Sequence, residues 1–365
     1  MSLVRSDTGR SVVRPDAQRL HIIIERDVGL FSLIQQVIAH IPWALKEQRL
    51  PIVYFRGGCV YWTPNGYAGR DTVWEYYFDP LIPGLGVVTI PQHVSDAIEP
   101  NHPFRPFQHV DGGSIASAHF GDDKSLAKLT LQIPYLWHDP SAKLRMCTAP
   151  LIEQYIRPRT YIREKASTFF REKLEGRPII GVHIRGTDAL KDHRPFRKCS
   201  LIIDNYIRCI DALLARMTAA RIFLATDEQA VRERLSMQYG ERLVSCDNVR
   251  HISGETSATG PGGWLMPAYL AHDRDTAARN GEEAVVDWLL LCKTSHLVHN
   301  GSTLARTVLL ARSSLPHSNV HLENNPLPSR LIAGFEFYLR RRVRRTTKFV
   351  RRKAGSVKRF ALSRL

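Results

Sequence analysis

Residues 177–185 read Arg177-Pro178-Ile179-Ile180-Gly181-Val182-His183-Ile184-Arg185, and residues 221–227 read Arg221-Ile222-Phe223-Leu224-Ala225-Thr226-Asp227. Each is a short, nearly continuous apolar run ending in a charged residue, the pattern of a strand buried on both faces. Between them, Ile203 to Ala220 carries apolar residues at helical spacing. Strand, helix, strand in that order predicts a parallel sheet. Towards the C-terminus the pattern continues with a helix over Gln229–Tyr239, a short strand at Leu243-Val244-Ser245, a helix over Gly281–Lys293, a strand at Ser295–His299 and a helix from about Thr303. Towards the N-terminus, Leu151 to Leu174 reads as one helix. Earlier still, the strand His21–Glu25, the turn Arg26-Asp27-Val28-Gly29, the helix Leu30–Gln48 and the strand Pro51–Phe55 repeat the same α/β grammar. The stretch from Arg56 to Pro150, rich in Pro, Gly and aromatics, predicts long loops and short helices.

These runs predict an α/β fold of two Rossmann-like domains, 19–160 and 161–328, with a cleft between them where a nucleotide and a second substrate bind. A polar arm, 1–18, and a basic tail, 329–365, flank them. The length of 365 residues suits two domains, and 44% hydrophobic residues suffice for their cores. The longest apolar run, Val285 to Cys292, is far short of a membrane span and contains Asp287. The N-terminus lacks a signal-peptide core, and the six scattered cysteines form no C-x-x-C pair. The expectation is a soluble cytoplasmic protein with reduced thiols and no bound metal.

The net charge of +16 suggests a nucleic-acid partner until its distribution is read. Residues 331–365 hold twelve Lys and Arg against the single acid Glu336, which leaves +5 for the first 330 residues. In the tail, Leu339, Val343, Thr346, Val350, Ala354, Val357 and Ala361 recur every three or four residues. That stripe fits an amphipathic helix lying on an anionic membrane surface, and it equally fits a solvated tail. RNA binding is the weaker reading, because Phe349 and Phe360 are too few to stack bases.

Side chains alternate along a strand, so His183 and Arg185 share a face opposite Val182 and Ile184. Arg185 falls at the carboxyl edge, where open α/β sheets bind ligands, and its guanidinium can clamp a diphosphate through paired hydrogen bonds. It can as well close an ion pair with Asp188 or Asp227. Asp227 ends the next strand at the same edge, to accept bonds from ribose or substrate hydroxyls or to cap the helix beginning near Gln229. Asp287 sits in a helix apolar nearly all round, with no cation three or four residues away. A buried carboxylate needs a partner, here a distant Arg or a multi-donor ligand such as guanine. Asn300-Gly301-Ser302-Thr303 joins a strand to a helix, and its small residues suit either a phosphate at the helix end or an ordinary Ser or Thr cap. Asp273-Arg274-Asp275 matches a D-x-D metal motif, but its polar setting between Ser253 and Asn280 predicts a solvated or lid-loop charge cluster, with Gly260-Pro261-Gly262-Gly263 as a flexible element.

Together, I-G-V-H-I-R-G-T-D, I-F-L-A-T-D-E and G-x-x-x-V-x-D-x-L-L-L leading to Ser302-x-x-x-Arg306 resemble the fucosyltransferase superfamily, which includes the rhizobial nodulation and core α1,6-fucosyltransferases and the protein O-fucosyltransferases. The resemblance is specific over about residues 178–310. It implies a GT-B fold, GDP-fucose as donor, inversion at the anomeric carbon and no required metal or other cofactor. By position it implies that Arg185 holds the β-phosphate, that His183 and Asp287 contact guanosine, that Ser302 and Thr303 bind phosphate, that Asp227 organises the site and that Gly29 admits the diphosphate to the first turn. Asp188 and Asp192, with His193 beside them, are the nearest candidates for a general base. Gly186 stands where the α1,6 enzymes carry a second basic residue, so the linkage is not implied. The acceptor is then a glycan, a lipid-linked saccharide or a polysaccharide intermediate at the cytosolic face. The alternatives are another nucleotide-sugar as donor, or a non-catalytic module that binds polyanions or membrane surfaces.

Overall fold

The computed structural model describes residues 19–26, 28–86, 90, 98, 107–110, 113–116, 133, 139–185, 203–248, 257–259, 265–267 and 273–320. The polar arm, Asp188, Asp192, His193, Cys199, the 260–263 stretch and the basic tail lie outside these residues.

Two sheets organise the chain. In the N-terminal sheet, β1 (Leu20–Ile24) lies between β2 (Leu50–Tyr54) and β4 (Gly113–Ala116), parallel to both, while β3 (Phe107–Val110) closes the edge antiparallel to β4. Ile23 and Val53 point into a large apolar core beneath α1 (Leu30–Lys46), and Ile22, Ile24, Ile52 and Tyr54 point to the other face. The C-terminal sheet is fully parallel, ordered β11 (His317–Asn319), β10 (His296–His299), β5 (Ile179–Ile184), β6 (Arg221–Thr226), β7 (Leu243–Val244), and between β7 and β10 in the chain β8 (Ser257–Thr259) and β9 (Leu265–Pro267) form a separate antiparallel pair. Every side chain of β5 is buried, as its apolar run requires. One face packs on α5 (Ile203–Leu214) and α6 (Gln229–Tyr239) through Val182, Ile184, Leu224, Tyr206 and Leu235. The other, through Ile179, Phe223 and Leu297, joins the core that α1 also enters. A fully buried Phe or Leu side chain stabilises by about 1.5–3 kcal/mol, so this shared layer is a strong bond between the halves. The architecture is the GT-B-like pair of Rossmann-like units expected.

Between β2 and the second half come α2 (Val73–Tyr77), α3 (Ala142–Tyr155) and α4 (Thr160–Lys173). The closing helices are α7 (Arg274–Leu291) and α8 (Thr303–Ala311). Polar contacts lock α7 onto the loop region after β2. Tyr77 donates to the Ala278 carbonyl at 2.7 Å, Tyr67 to Glu282 at 2.6 Å, and Thr63 to Asp275 at 2.8 Å. Gly281 permits this approach, because a Cβ there would stand 2.2 Å from the Tyr77 hydroxyl oxygen. From α1, the Gln35 amide donates to the Thr303 carbonyl at 2.9 Å.

Several boundaries differ from the sequence reading. Leu151–Leu174 is two helices, broken where Pro158 bridges to Phe78, the Arg159 amide bonds to Tyr77 and the Arg157 side chain bonds to Pro80. Docking on the first half outweighs helical continuity there, and proline offers no amide to continue it. The helix from Ile203 stops at Leu214. The stretch 56–150 holds β3 and β4, whose pairing with β1 no local pattern announced. The helix expected from Gly281 begins at Arg274, and the D-x-D segment starts it. Asp273 caps it, Oδ1 accepting from the Asp275 and Thr276 amides at 3.0 Å, while Asp275 bonds Thr63. Asp273, Arg274 and Asp275 are all exposed, as a solvated charge cluster would be, but they open a helix and do not lie in a lid loop.

Candidate functional site

The face of β5 that carries His183 looks towards the first half. Register sets His183 between His299 on β10 and Ala225 on β6, and Arg185 and Asp227 follow where the two strands end. Arg185 Nε lies 3.4 Å from Asp227 Oδ2, with the Arg side chain 39% exposed and the Asp side chain 16%. The ion pair that spacing allowed is therefore formed. Asp227 does not cap α6; that position is Glu228. At this exposure the pair contributes little to stability, while the guanidinium stays accessible to a ligand.

His183 and Ser302 come together, with Nδ1 and Oγ 3.0 Å apart. Burial, and secondarily the positive charge of Arg185, holds the His183 pKa down at about 3, so its ring is neutral at physiological pH. Ser302 Oγ also accepts from the Ala305 amide at 3.2 Å, making Ser302 the N-cap of α8. The ordinary-cap reading of this turn is thus realised, and the cap is at once bonded to the strand beside it. The Asn300 amide donates to the Arg185 carbonyl at 3.3 Å. Gly301 has φ +75°, a conformation that favours glycine, and its N–H goes to His299 Nδ1 at 3.0 Å. The Gly301 amide is therefore engaged inside the protein.

From the other half, Gly29 precedes α1 with extended backbone, and a Cβ placed on it would meet nothing within 4 Å. Its value is open space, since its φ of −62° is available to any residue. Tyr61 stands beside it, accepting from the Leu30 amide at 3.4 Å. Burial raises the Tyr61 pKa, Arg185 opposes that rise and Asp227 reinforces it. The phenol of one half is thus within electrostatic reach of the ion pair of the other. Glu25, at the end of β1, accepts from the Arg56 and Gly58 amides at 3.0 Å and sets the loop leading to Tyr61. The sequence reading missed Tyr61, which lies in the stretch without periodicity.

Asp287 is buried as expected, on α7. Its Oδ2 accepts from the Asn248 side-chain amide at 2.9 Å, so the group that meets it from a distance includes a neutral amide beyond β7. Arg185 and Asp287, the two groups on which a guanine diphosphate reading leans, each have a partner in the protein.

No family model and no curated protein matches the chain. Similar folds occur among solved structures. NodZ α-1,6-fucosyltransferase from Bradyrhizobium, soaked with GDP-fucose, is 16% identical with a TM-score of 0.49, covering 82% of this chain and 94% of that one. POFUT1 in complex with GDP is 12% identical with a TM-score of 0.44, covering 84% and 99%. A point mutant of Arabidopsis thaliana FUT1 in complex with GDP is 14% identical with a TM-score of 0.46, covering 87% and 74%.

Among the described residues one cluster has the makings of a metal site. Asp139, His299 and His317 bring ligand atoms within 4.8 Å of one another. The hydrogen bonding argues against it. A ring nitrogen that accepts an amide proton is unprotonated, so the bond from Gly301 to Nδ1 of neutral His299 places the proton on Nε2, the atom facing Asp139. That nitrogen has no lone pair for a metal while the Gly301 bond stands. The cluster is better described as a polar network behind the 300–302 turn.

Proposed function

We propose that the chain is an inverting glycosyltransferase that moves fucose from GDP-fucose to a hydroxyl of a glycan, lipid-linked saccharide or polysaccharide acceptor. The observation that supports it most is the convergence at one sheet edge of the Arg185–Asp227 pair and the His183–Ser302 turn, with Tyr61 in reach from the other half. The choice of GDP-fucose rests on the motif resemblance over residues 178–310.

In this reading the acceptor oxygen attacks the anomeric carbon from the face opposite the diphosphate. The carbon–oxygen bond to the β-phosphate breaks as the new one forms, and GDP leaves with the bonding electrons. Charge then grows on the phosphate, and preorganised donors stabilise it. Arg185 supplies the guanidinium, held in place by Asp227, and the Ser302 and Thr303 amides supply the positive end of α8. The space over Gly29 admits the diphosphate. Asp287, oriented by Asn248, accepts from the guanine N1–H and exocyclic amine. The acceptor proton goes to a carboxylate, for which Asp188 and Asp192 are the sequence candidates. The stripe from Leu339 to Ala361 is assigned to an anionic membrane surface at the cytosolic face, where lipid-linked acceptors lie.

Titration with GDP, UDP, GDP-fucose and GDP-mannose tests the reading. GDP should bind at least about tenfold more tightly than UDP, since a carboxylate matched to guanine leaves polar groups unpaired with uracil. A preference for UDP replaces the donor and leaves the enzyme class. Absence of nucleotide binding, together with vesicle or polyanion binding lost on deletion of 329–365, would establish the non-catalytic alternative.

A further inference from the structure

The network behind the 300–302 turn has its own construction. Asp139 stands just before α3, and α3 is fastened to the far end of α8. Thr148 donates to the Leu310 carbonyl at 3.0 Å, and Arg145 donates to the Leu315 and Arg312 carbonyls at 2.8 and 3.1 Å. The Asn319 amide then donates to Asp139 Oδ1 at 2.8 Å, and His317 Nε2 lies 3.3 Å from Oδ2. Asp139 is therefore held on the same frame as the helix that the turn begins.

In front of it, His299 is wholly buried and has one ring nitrogen on each side. Nδ1 accepts the Gly301 amide at 3.0 Å, while Nε2 faces Asp139 Oδ1 at 3.6 Å, beyond hydrogen-bond length. A buried ring N–H directed at a carboxylate keeps its ring from turning over, since the flipped ring would present carbon to the carboxylate and lose the Gly301 bond. Beyond Gly301 come Ser302, tied to His183, and the first amides of α8.

We propose that Asp139 is a positioning residue for the ligand-binding turn: through His299 it fixes the Gly301 peptide and with it Ser302 and the opening amides of α8. This rests on reading that turn as the diphosphate end of the site. Asp139 touches no reacting atom. Its effect is transmitted through one imidazole to one backbone amide.

The test compares Asp139→Ala with Asp139→Asn in the full chain. Asparagine keeps an oxygen towards His299 and Asn319; its amide faces His317 Nε2, and that pairing holds when the ring carries its proton on Nδ1, towards the Leu315 carbonyl at 3.3 Å, and not when Nδ1 accepts from Arg145 at 3.3 Å. Alanine removes the carboxylate that the His299 N–H faces at 3.6 Å. Amide hydrogen exchange over residues 300–305 should speed up about tenfold in Asp139→Ala and stay near wild type in Asp139→Asn. GDP affinity, measured well below the melting temperature, should weaken about tenfold in the first and less than about twofold in the second. In turnover the alanine variant should show a raised donor KM with a smaller change in kcat. Unchanged exchange over 300–305 in Asp139→Ala overturns the proposal, whatever happens to stability. Faster exchange with unchanged GDP affinity overturns it too, by showing that the turn does not hold the ligand. Should the wild-type protein bind no GDP, the functional reading falls, while the exchange result still decides whether Asp139 orders the turn.

Discussion

Among the described residues, each half of the molecule buries two histidines beside a parallel strand, and the two pairs are satisfied in different ways. In the first half, His21 on β1 and His40 on α1 bond to each other, Nε2 to Nδ1 at 2.8 Å, and His21 Nδ1 meets Ser114 at 2.9 Å. Both are wholly buried, with Trp43 packed on His21. In the second half, His183 and His299 are register partners on β5 and β10, yet each bonds to the turn that opens α8. The first pair is bonded within the first half, ring to ring and to Ser114 on β4, and serves the core. The second commits the Nδ1 of each ring to the turn at the sheet edge. A buried polar side chain thus points to function by what its partner is free to do next.

The largest expected effect tests whether that edge is the working one. Arg185→Ala should lower transfer by about 10²–10³-fold, the size seen when a preorganised donor to developing charge is removed. Folding should change little, because the side chain is two-fifths exposed and its ion pair with Asp227 is solvated. Initial-rate kinetics beside thermal melting separate the two. A variant that keeps full activity would move the chemistry away from this edge and leave the two histidine pairs equivalent.

How much of this contrast the sequence allowed to be read follows from where the partners lie along the chain. His183 and Arg185 were legible because alternation on a buried strand is local and β5 is buried throughout. The same alternation on β10 places His299 on the face of His183, a signal that was present in the strand His296–His299 and unused. Asp287 was legible as a buried carboxylate, but Asn248 was not, since 39 positions and no shared periodicity separate them. Tyr61 and Asp139 lie in or beside a stretch where side chains are placed by long-range docking: Glu25 sets the loop to Tyr61, and α8 holds the helix after Asp139. The break at Pro158 has the same origin, in contacts with Phe78 and Tyr77 from an element far earlier in the chain. Local pattern reads elements and faces, and tertiary partners decide the rest.

Next in size is a pair of alanine variants that should separate the two histidine environments. His40→Ala leaves His21 Nε2 without its partner in a wholly buried site, which should cost about 1–3 kcal/mol of stability in denaturant titration with GDP affinity unchanged at low temperature. His183→Ala should show the reverse emphasis, with GDP affinity down by about tenfold because Ser302 loses the contact that holds it. If His40→Ala weakened GDP binding as much as His183→Ala, the first half would be coupled to the site through its core and the contrast would be broken.

The finest comparison is graded with pH and touches both pairs, one ring's share of a slope at a time. Burial lowers the pKa of His21, with His40 and Arg49 adding to it. Burial likewise holds His183 and His299 at about 3. An unfolded histidine titrates at about 6.5, so below that pH the unfolded chain takes up protons that the folded one refuses. The stability these groups contribute is complete above about pH 6.5 and is lost as pH falls towards the folded values, by about 1.4 kcal/mol per pH unit for each neutral buried ring. Denaturant midpoints between about pH 7 and pH 5 should fall along that slope, and replacing His21 by asparagine should flatten it by one ring's share. Saturating GDP should leave the His21 share untouched, since that pair is wholly buried and bonded within the first half, and should steepen or relax only the part that belongs to His183 and His299. A slope that GDP alters even after both of those rings are replaced would show that the first pair, buried in the core of the first half, also answers to the ligand.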